Sequence, residues 1–320
     1  MNDLIGLEVL SFFGPAIERP ECVVATAKGD LFVGDGRGGI MHVAPDGDAR
    51  LILARNPPAE GFVPNGIALL ANHDVLCANM GLAGGVWRLS PNGDLSPFLQ
   101  EVEGMTLPQT NFVGIDRAGR TWVSVSTRLT PVAACAHEGW ADGFVILVDD
   151  HGARIVADDI GLTNEAKVDP SGKWLYVVET IARRLSRLPI RADGSLGLRE
   201  TVSEFTRPGA LPDGLAFDAD GGVWVTTIVR NAIVQLKADG TQLWHLEDVD
   251  EAHVEEVEAR FQSGGFPGWE PGADRVLNTP TSIAFSGPDL RTAVIGFLRG
   301  NRLARFRSPV AGAPPPHWHF

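Results

Sequence analysis

The chain has 320 residues, 44% hydrophobic and 21% charged, with a formal net charge of −13. These proportions suit a globular protein of one or two domains with a large core, and the acidity argues against nucleic acid or an anionic membrane as partner. No apolar run could span a bilayer, the opening MNDLIGLEVLSFFG lacks the marks of a signal peptide, and the cysteines Cys22, Cys77 and Cys135 are too few and scattered for a disulfide framework. A reduced, cytoplasmic protein is expected.

Along the chain, LEVLSFFG (7–14) reads as a strand outside any repeat. Six copies of one pattern follow, each a short apolar run, a turn and a second apolar strand. They are CVVA with TAKGDLFVGD, NGIALL with ANHDVLCANM, FVGI with DRAGRTWVSV, EAKV with DPSGKWLYVVE, GLAF with DADGGVWVT, and SIAF with SGPDLRTAVIG. Between copies lie further strands such as GGIMHVAPDG and NAIVQLKADG, ending in Asp-Gly or Asn-Gly hairpin signals. DVDEAHVEEVEARF (248–261) reads as an acidic amphipathic helix within an insertion of about 240–278, placed to cover one end of a channel. NRLARFRSPV (301–310) is a last strand, and GAPPPHWHF a loosely held tail whose two histidines could bind at most a stray metal.

Units starting near 21, 65, 111, 164, 213 and 282, with no βαβ alternation, predict an all-β, six-bladed β-propeller forming a single domain over 1–320. Two stacked β-sandwich domains would not need six copies in phase. A propeller must close its ends, so strands 7–14 and 301–310 should pair in one blade.

Asp213 sits between a proline and a glycine at the head of LAF, without a charged partner nearby in sequence. It precedes the turn glycine Gly221 by eight residues, and Glu21, Asn111 and Asn164 stand at the same offset from Gly29, Gly119 and Gly172. Asn65 and Ser282 hold the place in the second and sixth units. First strands line a propeller's channel, so these side chains should converge on the axis. Two buried carboxylates with no lysine or arginine beside them would repel, and a divalent cation removes that cost. Glu21, Asn111, Asn164 and Asp213 are therefore the expected metal ligands. Their all-oxygen set suits calcium first, then magnesium or manganese; iron and zinc remain options, though zinc usually selects His or Cys.

LPDGLAFDADGGVWVT and PTSIAFSGPDLRTAVI resemble the fifth- and sixth-blade signatures of the SMP-30/gluconolactonase/LRE-like family, over about residues 15–310. RPECVVATAKGDLFVGD and LTNEAKVDPSGKWLYVVET are similar more loosely, and they also resemble strictosidine-synthase-like proteins. The family resemblance implies a divalent-metal lactonase with the same four ligands. The family's third blade often reads Arg-x-Asn-Asp-Gly; here QTNFVG puts Gln109 and Phe112 in place of the arginine and aspartate, and Leu129 falls near the lid glutamate of sugar lactonases. Glu165 replaces a common glycine after the fourth-blade asparagine. A preference for a less polar lactone or ester follows, with Gln109, Phe112, Arg128, His137 and Trp140 as substrate contacts.

Water would attack the lactone carbonyl with Asp213 as proton acceptor. No G-x-S-x-G elbow is present, and Cys22 reads as packing rather than nucleophile. A non-hydrolytic enzyme on this scaffold and a binding propeller with a structural ion are the rival readings. The sequence leaves the oligomeric state open.

Overall fold

Short strands joined by tight turns form six antiparallel four-stranded sheets in the computed structural model, which describes residues 5–264 and 275–320. The innermost strands are Val23–Ala25, Pro64–Leu69, Phe112–Ile115, Thr163–Val168, Ala210–Phe217 and Pro280–Ser286. Each neighbours the next, and the sixth neighbours the first, so the sheets close into a six-bladed propeller. Apolar cores lie between successive blades. Among the described residues no helix is long and apolar enough to cross a membrane.

The turn between the first two strands of each blade explains the repeat. Its left-handed residue is Gly29 (φ 91°), His73 (66°), Gly119 (80°), Gly172 (73°), Gly221 (81°) or Leu290 (53°). Each donates its N–H to the carbonyl three residues back. The six lie eight residues after Glu21, Asn65, Asn111, Asn164, Asp213 and Ser282. The phase therefore persists in blades two and six, where a histidine and a leucine adopt a conformation that glycine takes more cheaply.

Two blades add a buried device to this turn. Asp116 accepts the N–H groups of Ala118 and Arg120 on Oδ1 and Trp122 Nε1 on Oδ2, the last at 3.0 Å. Asp218 does the same for Asp220, Gly222 and Trp224, with Trp224 Nε1 at 3.1 Å. Trp122 packs between blades three and four, and Trp224 between five and six.

Closure is as the two unmatched strands implied. Ser11–Phe13 pairs antiparallel with Leu303–Arg307, Ser11 facing Arg305 and Phe13 facing Leu303.

The tail, expected to be loose, is instead fastened across the hairpin end of the channel. Ala313 N–H donates to Phe217 O, Ala27 N–H donates to Trp318 O, and Arg117 Nη2 donates to Pro314 O. Trp318 is buried. Composition suggested mobility, but these bonds and the burial of Trp318 outweigh it. Beneath the tail is a cavity of about 530 Å³ lined by Cys22, Ile67, Phe112, Ala216, Ile283 and His317. Burial, and then the charge of Lys167, push the His317 imidazole down to about 4 from 6.5. Between those values protons bind the unfolded chain better. The stability contributed by this neutral histidine is thus complete above 6.5 and is lost as pH falls towards 4. His317→Phe should flatten the acid limb of stability. Urea midpoints at about pH 7 and about pH 5 should fall further apart in the wild type than in the variant, and an equal fall would refute the assignment.

The helix Glu251–Gln262 is capped by Asp250, whose side chain accepts from His253 N–H. Val254 and Val257 pack on Leu211, Ile228 and Val229, beside the heads of the inner strands. Arg183 grips Glu258 at two points, 2.8 and 2.9 Å. The insertion is shorter than its expected 240–278, because Gln242–Glu247 is the fourth strand of blade five. The part of that range at 265–274 lies outside the described residues.

Candidate active site

Each inner strand is irregular where its polar residue falls. Register shifts interrupt pairing between Pro64 and Ile67, Thr163 and Ala166, Pro212 and Leu215, and Pro280 and Ser282. A bulge leaves a residue outside the ladder and re-aims its side chain. In blades one and three the strands begin only at Val23 and Phe112, immediately beyond Cys22 and Asn111. Hydroxyls on or just past the second strands tie neighbouring blades together here: Ser124 Oγ donates to Asn164 O at 2.6 Å, and Thr180 Oγ1 to Pro212 O at 2.8 Å.

The four in-phase residues are almost wholly buried: Glu21 is 7% exposed, Asn111 6%, Asn164 5% and Asp213 6%. Three of them carry a buried oxygen without any hydrogen-bond partner: Glu21 Oε2, Asn164 Oδ1 and Asp213 Oδ1. Such atoms are costly in an interior. Surrounding groups fix which oxygen is left free. Asn65 Nδ2 donates to Glu21 Oε1 at 2.9 Å, leaving Oε2. Asn164 Nδ2 donates to Thr180 Oγ1 at 3.2 Å, leaving Oδ1. Asn65 is thus a positioning residue that also bonds Asn111 O.

The electrostatics follow. Burial pushes Glu21 up to about 7, with Arg19 opposing, Glu165 adding to the rise and the Asn65 bond lowering it. Burial, then Glu21 and Glu165, push Asp213 well above the usual carboxylate range, and the Asn164 side chain and Arg19 pull it back. Asp213 thus feels both the Glu21 carboxylate and the Asn164 side chain. Among the described residues no three His, Cys, Asp or Glu side chains gather as a metal site; this donor set is two carboxylates and two amides. Oxygen donors of that kind, three of them unpartnered, fit a hard cation.

One expectation is corrected. One of the two ring carboxylates does have a cation beside it, since Arg19 Nη1 lies 3.6 Å from Glu21 Oε2, while Lys167 Nζ lies 2.7 Å from Oε2 of a third buried carboxylate, Glu165. Glu165 is buried and also accepts Leu215 N–H at 2.7 Å. Cys22 is buried, and burial drives its thiol far up, away from nucleophilic character.

The proposed substrate contacts separate into groups. Gln109 is spent on backbone: its Nε2 donates to Met80 O and its Oε1 accepts Val132 N–H. Phe112 lines the cavity under the tail, with Lys167 over its ring. Arg128 turns outward into a two-point pair with Asp158 at 2.8 and 2.7 Å. His137 and Trp140 face each other edge-on in the lid loop, and Trp140 packs in a cluster containing Leu129, Cys135, Leu162, Ile181 and Phe261. The lid is therefore apolar and seats against the helix. Trp140 Nε1 and Asp142 Oδ1 are its buried polar atoms without partners.

The sequence profile described as the SMP-30/gluconolactonase/LRE-like region matches residues 19–248. The chain belongs to this family.

A 6-deoxy-6-sulfogluconolactonase of Pseudomonas putida is 29% identical over 226 residues, 70% of this chain and 66% of that protein. The pentonolactonase XacC of Haloferax volcanii is 26% identical over 163 residues, 50% of this chain and 47% of that one. The chain thus spans just under two thirds of one relative and about half of the other. Regucalcin of Agrobacterium tumefaciens, described as a calcium-binding protein, has a TM-score of 0.69 at 18% identity, covering 100% of both chains. A gluconolactonase of Xanthomonas campestris has a TM-score of 0.69 at 18% identity, covering 94% of this chain and 89% of that one. At such identities the likeness is one of fold.

For this member of the SMP-30/gluconolactonase/LRE-like family, the strand phase points to the ring but not to its supports. Asn65 stood in phase, yet only its contacts reveal that it orients Glu21. Arg19 was missed altogether. The available signal was a charged residue two positions before a proposed ligand, separated from it by Pro20.

Proposed function

We propose that the protein is a divalent-metal-dependent hydrolase that opens a lactone. The observation that carries this reading is the set of unpartnered buried oxygens on Glu21, Asn164 and Asp213. Glu21, Asn111, Asn164 and Asp213 would hold the ion, with calcium the best match to an all-oxygen set. A bound ion would supply charge balance for the two carboxylates and Lewis-acid polarisation of the acyl carbonyl. Asp213 Oδ1 accepts a proton from the attacking water. The water oxygen bonds to the acyl carbon, the ring C–O bond breaks, and the departing alkoxide takes the proton held by Asp213 and leaves as an alcohol. The relatives named as lactonases support this reaction class. Metal content of the purified protein, with a lactone panel run with and without chelator, tests it; full activity after complete metal removal would sink it.

The substrate we propose is less polar than a sugar lactone. The lid cluster is apolar, and Gln109 and Arg128 are already paired within the protein. Burial of apolar substrate surface contributes roughly 25 cal/mol per Å², whereas the hydroxyls of a sugar need partners here. The expected result is a higher kcat/KM for an alkyl-substituted lactone than for gluconolactone. The named relatives act on polar lactones, so a preference for gluconolactone would show that the apolar lid does not set specificity.

A further inference from the structure

Arg19 has a backbone and a side chain that packing alone does not explain. Its φ is 52°, in the left-handed region, and it precedes Pro20. That geometry is costly for a non-glycine residue and persists only when its surroundings enforce it. Here they do so through three backbone bonds. Gly36 N–H donates to Glu18 O at 2.6 Å, Glu21 N–H to Arg19 O at 2.8 Å, and Phe297 N–H to Pro20 O at 2.7 Å. A side chain at Gly36 would press on Glu18 and Arg19, its Cβ falling 3.2 Å from Arg19 Cβ.

The strained turn delivers a guanidinium to the ring. Arg19 Nη2 donates to Asn65 Oδ1 at 2.5 Å, the same Asn65 that orients Glu21. Arg19 Nη1 is buried and has no hydrogen-bond partner. It lies 3.6 Å from Glu21 Oε2, itself unpartnered. A cation held by Glu21 would stand close to a second positive charge. That arrangement is favourable when an anion lies against both. A guanidinium N–H without a hydrogen-bond partner is a strong donor to carboxylate oxygen.

We propose that Arg19 Nη1 forms an anion subsite beside the ring, binding the acyl oxygen of the substrate and then the carboxylate released by ring opening. This rests on the lactonase reading for its substrate, but not for its test. Arg19 is a substrate-contacting residue, and Asn65 holds it in place.

The test is direct binding of a hydroxycarboxylate, gluconate and 4-hydroxyvalerate in turn, to calcium-loaded protein by calorimetry, beside calcium titration of each variant. Arg19→Gln should weaken carboxylate binding by at least about tenfold, as expected for a lost charge-assisted bond, with Arg19→Lys recovering part of it. Calcium affinity in Arg19→Gln should hold or tighten, because a positive charge has left the ring. If Arg19 only neutralised Glu21, calcium would bind tighter while carboxylate affinity stayed unchanged, and that result overturns the subsite. So does failure of the wild type to bind either carboxylate. Carboxylate binding that depends on Arg19, in a protein that hydrolyses no lactone, would overturn the lactonase reading and leave the subsite standing.

Discussion

Asp213→Ala should abolish the proposed lactone hydrolysis, with kcat/KM falling by at least about 10³-fold. The substitution removes one of the unpartnered oxygens of the ring and one of its two negative charges. It also removes the proposed proton acceptor, so added metal should not restore the rate. Asn164→Ala removes a neutral oxygen and leaves Asp213 in place, so excess calcium should partly rescue it. Rates measured across a calcium titration separate the two. An Asp213→Ala enzyme with near wild-type kcat/KM would end the mechanism. So would an Asn164→Ala enzyme unaffected at limiting calcium.

Trp224→Ala should be the most damaging single change to stability, costing about 3–5 kcal/mol. Trp224 is fully buried and stacks on His245, with ring centroids 4.5 Å apart at 9°. It meets Phe285 of the sixth blade edge-on at 5.7 Å. Its truncation opens a void between two blades and takes away one of the donors bonded to Asp218 Oδ2, which would keep only Gln235 Nε2 at 2.7 Å. Asp218→Ala should cost less, because the tryptophan still fills the gap, yet it leaves Trp224 Nε1 and Gln235 Nε2 buried without that acceptor. Denaturant unfolding monitored by circular dichroism orders the two variants. A Trp224→Ala protein within about 1 kcal/mol of wild type would mean that the gap between blades five and six closes by relaxation.

Much of this was legible in the sequence because a propeller repeats its physics. The turn after each inner strand needs a left-handed residue at one place, and glycine marks it in four of six blades. Counting back eight residues then reaches the channel without any structure. The same count reached Asn65, but a carboxamide looks alike in sequence whether it faces an ion or a neighbouring carboxylate. Its bonds to Glu21 and Arg19 are contacts between blades or loops far apart in the chain, and residue spacing does not encode them. Arg128 shows the opposite failure. A charged residue in a lid loop suggests a substrate contact, yet its partner Asp158 lies 30 positions away on an outer strand and draws it to the surface. The tail was misjudged because proline-rich composition reports only chain stiffness and weak local structure. What holds it is the backbone of Ala27, Phe217 and Ala219, the Arg117 side chain on Pro314 O and the burial of Trp318, contacts with residues far away in the chain.

The pairing of Ser11–Phe13 with Leu303–Arg307 has a kinetic side. Ser11 and Arg305 are 294 positions apart, so the contact that seals the circle spans nearly the whole polypeptide. The other blades draw all four of their strands from one continuous stretch of sequence, and such local units can form early. The sealing step must wait for both ends, and it carries the largest loop-closure entropy in the molecule. During synthesis the sixth sheet therefore stays incomplete until residues 303–307 have emerged, with the outer edge of Leu303–Arg307 exposed until residues 11–13 return to cover it. Refolding from denaturant should consequently end in one slow phase that reports on this junction, long after most of the strand signal has recovered.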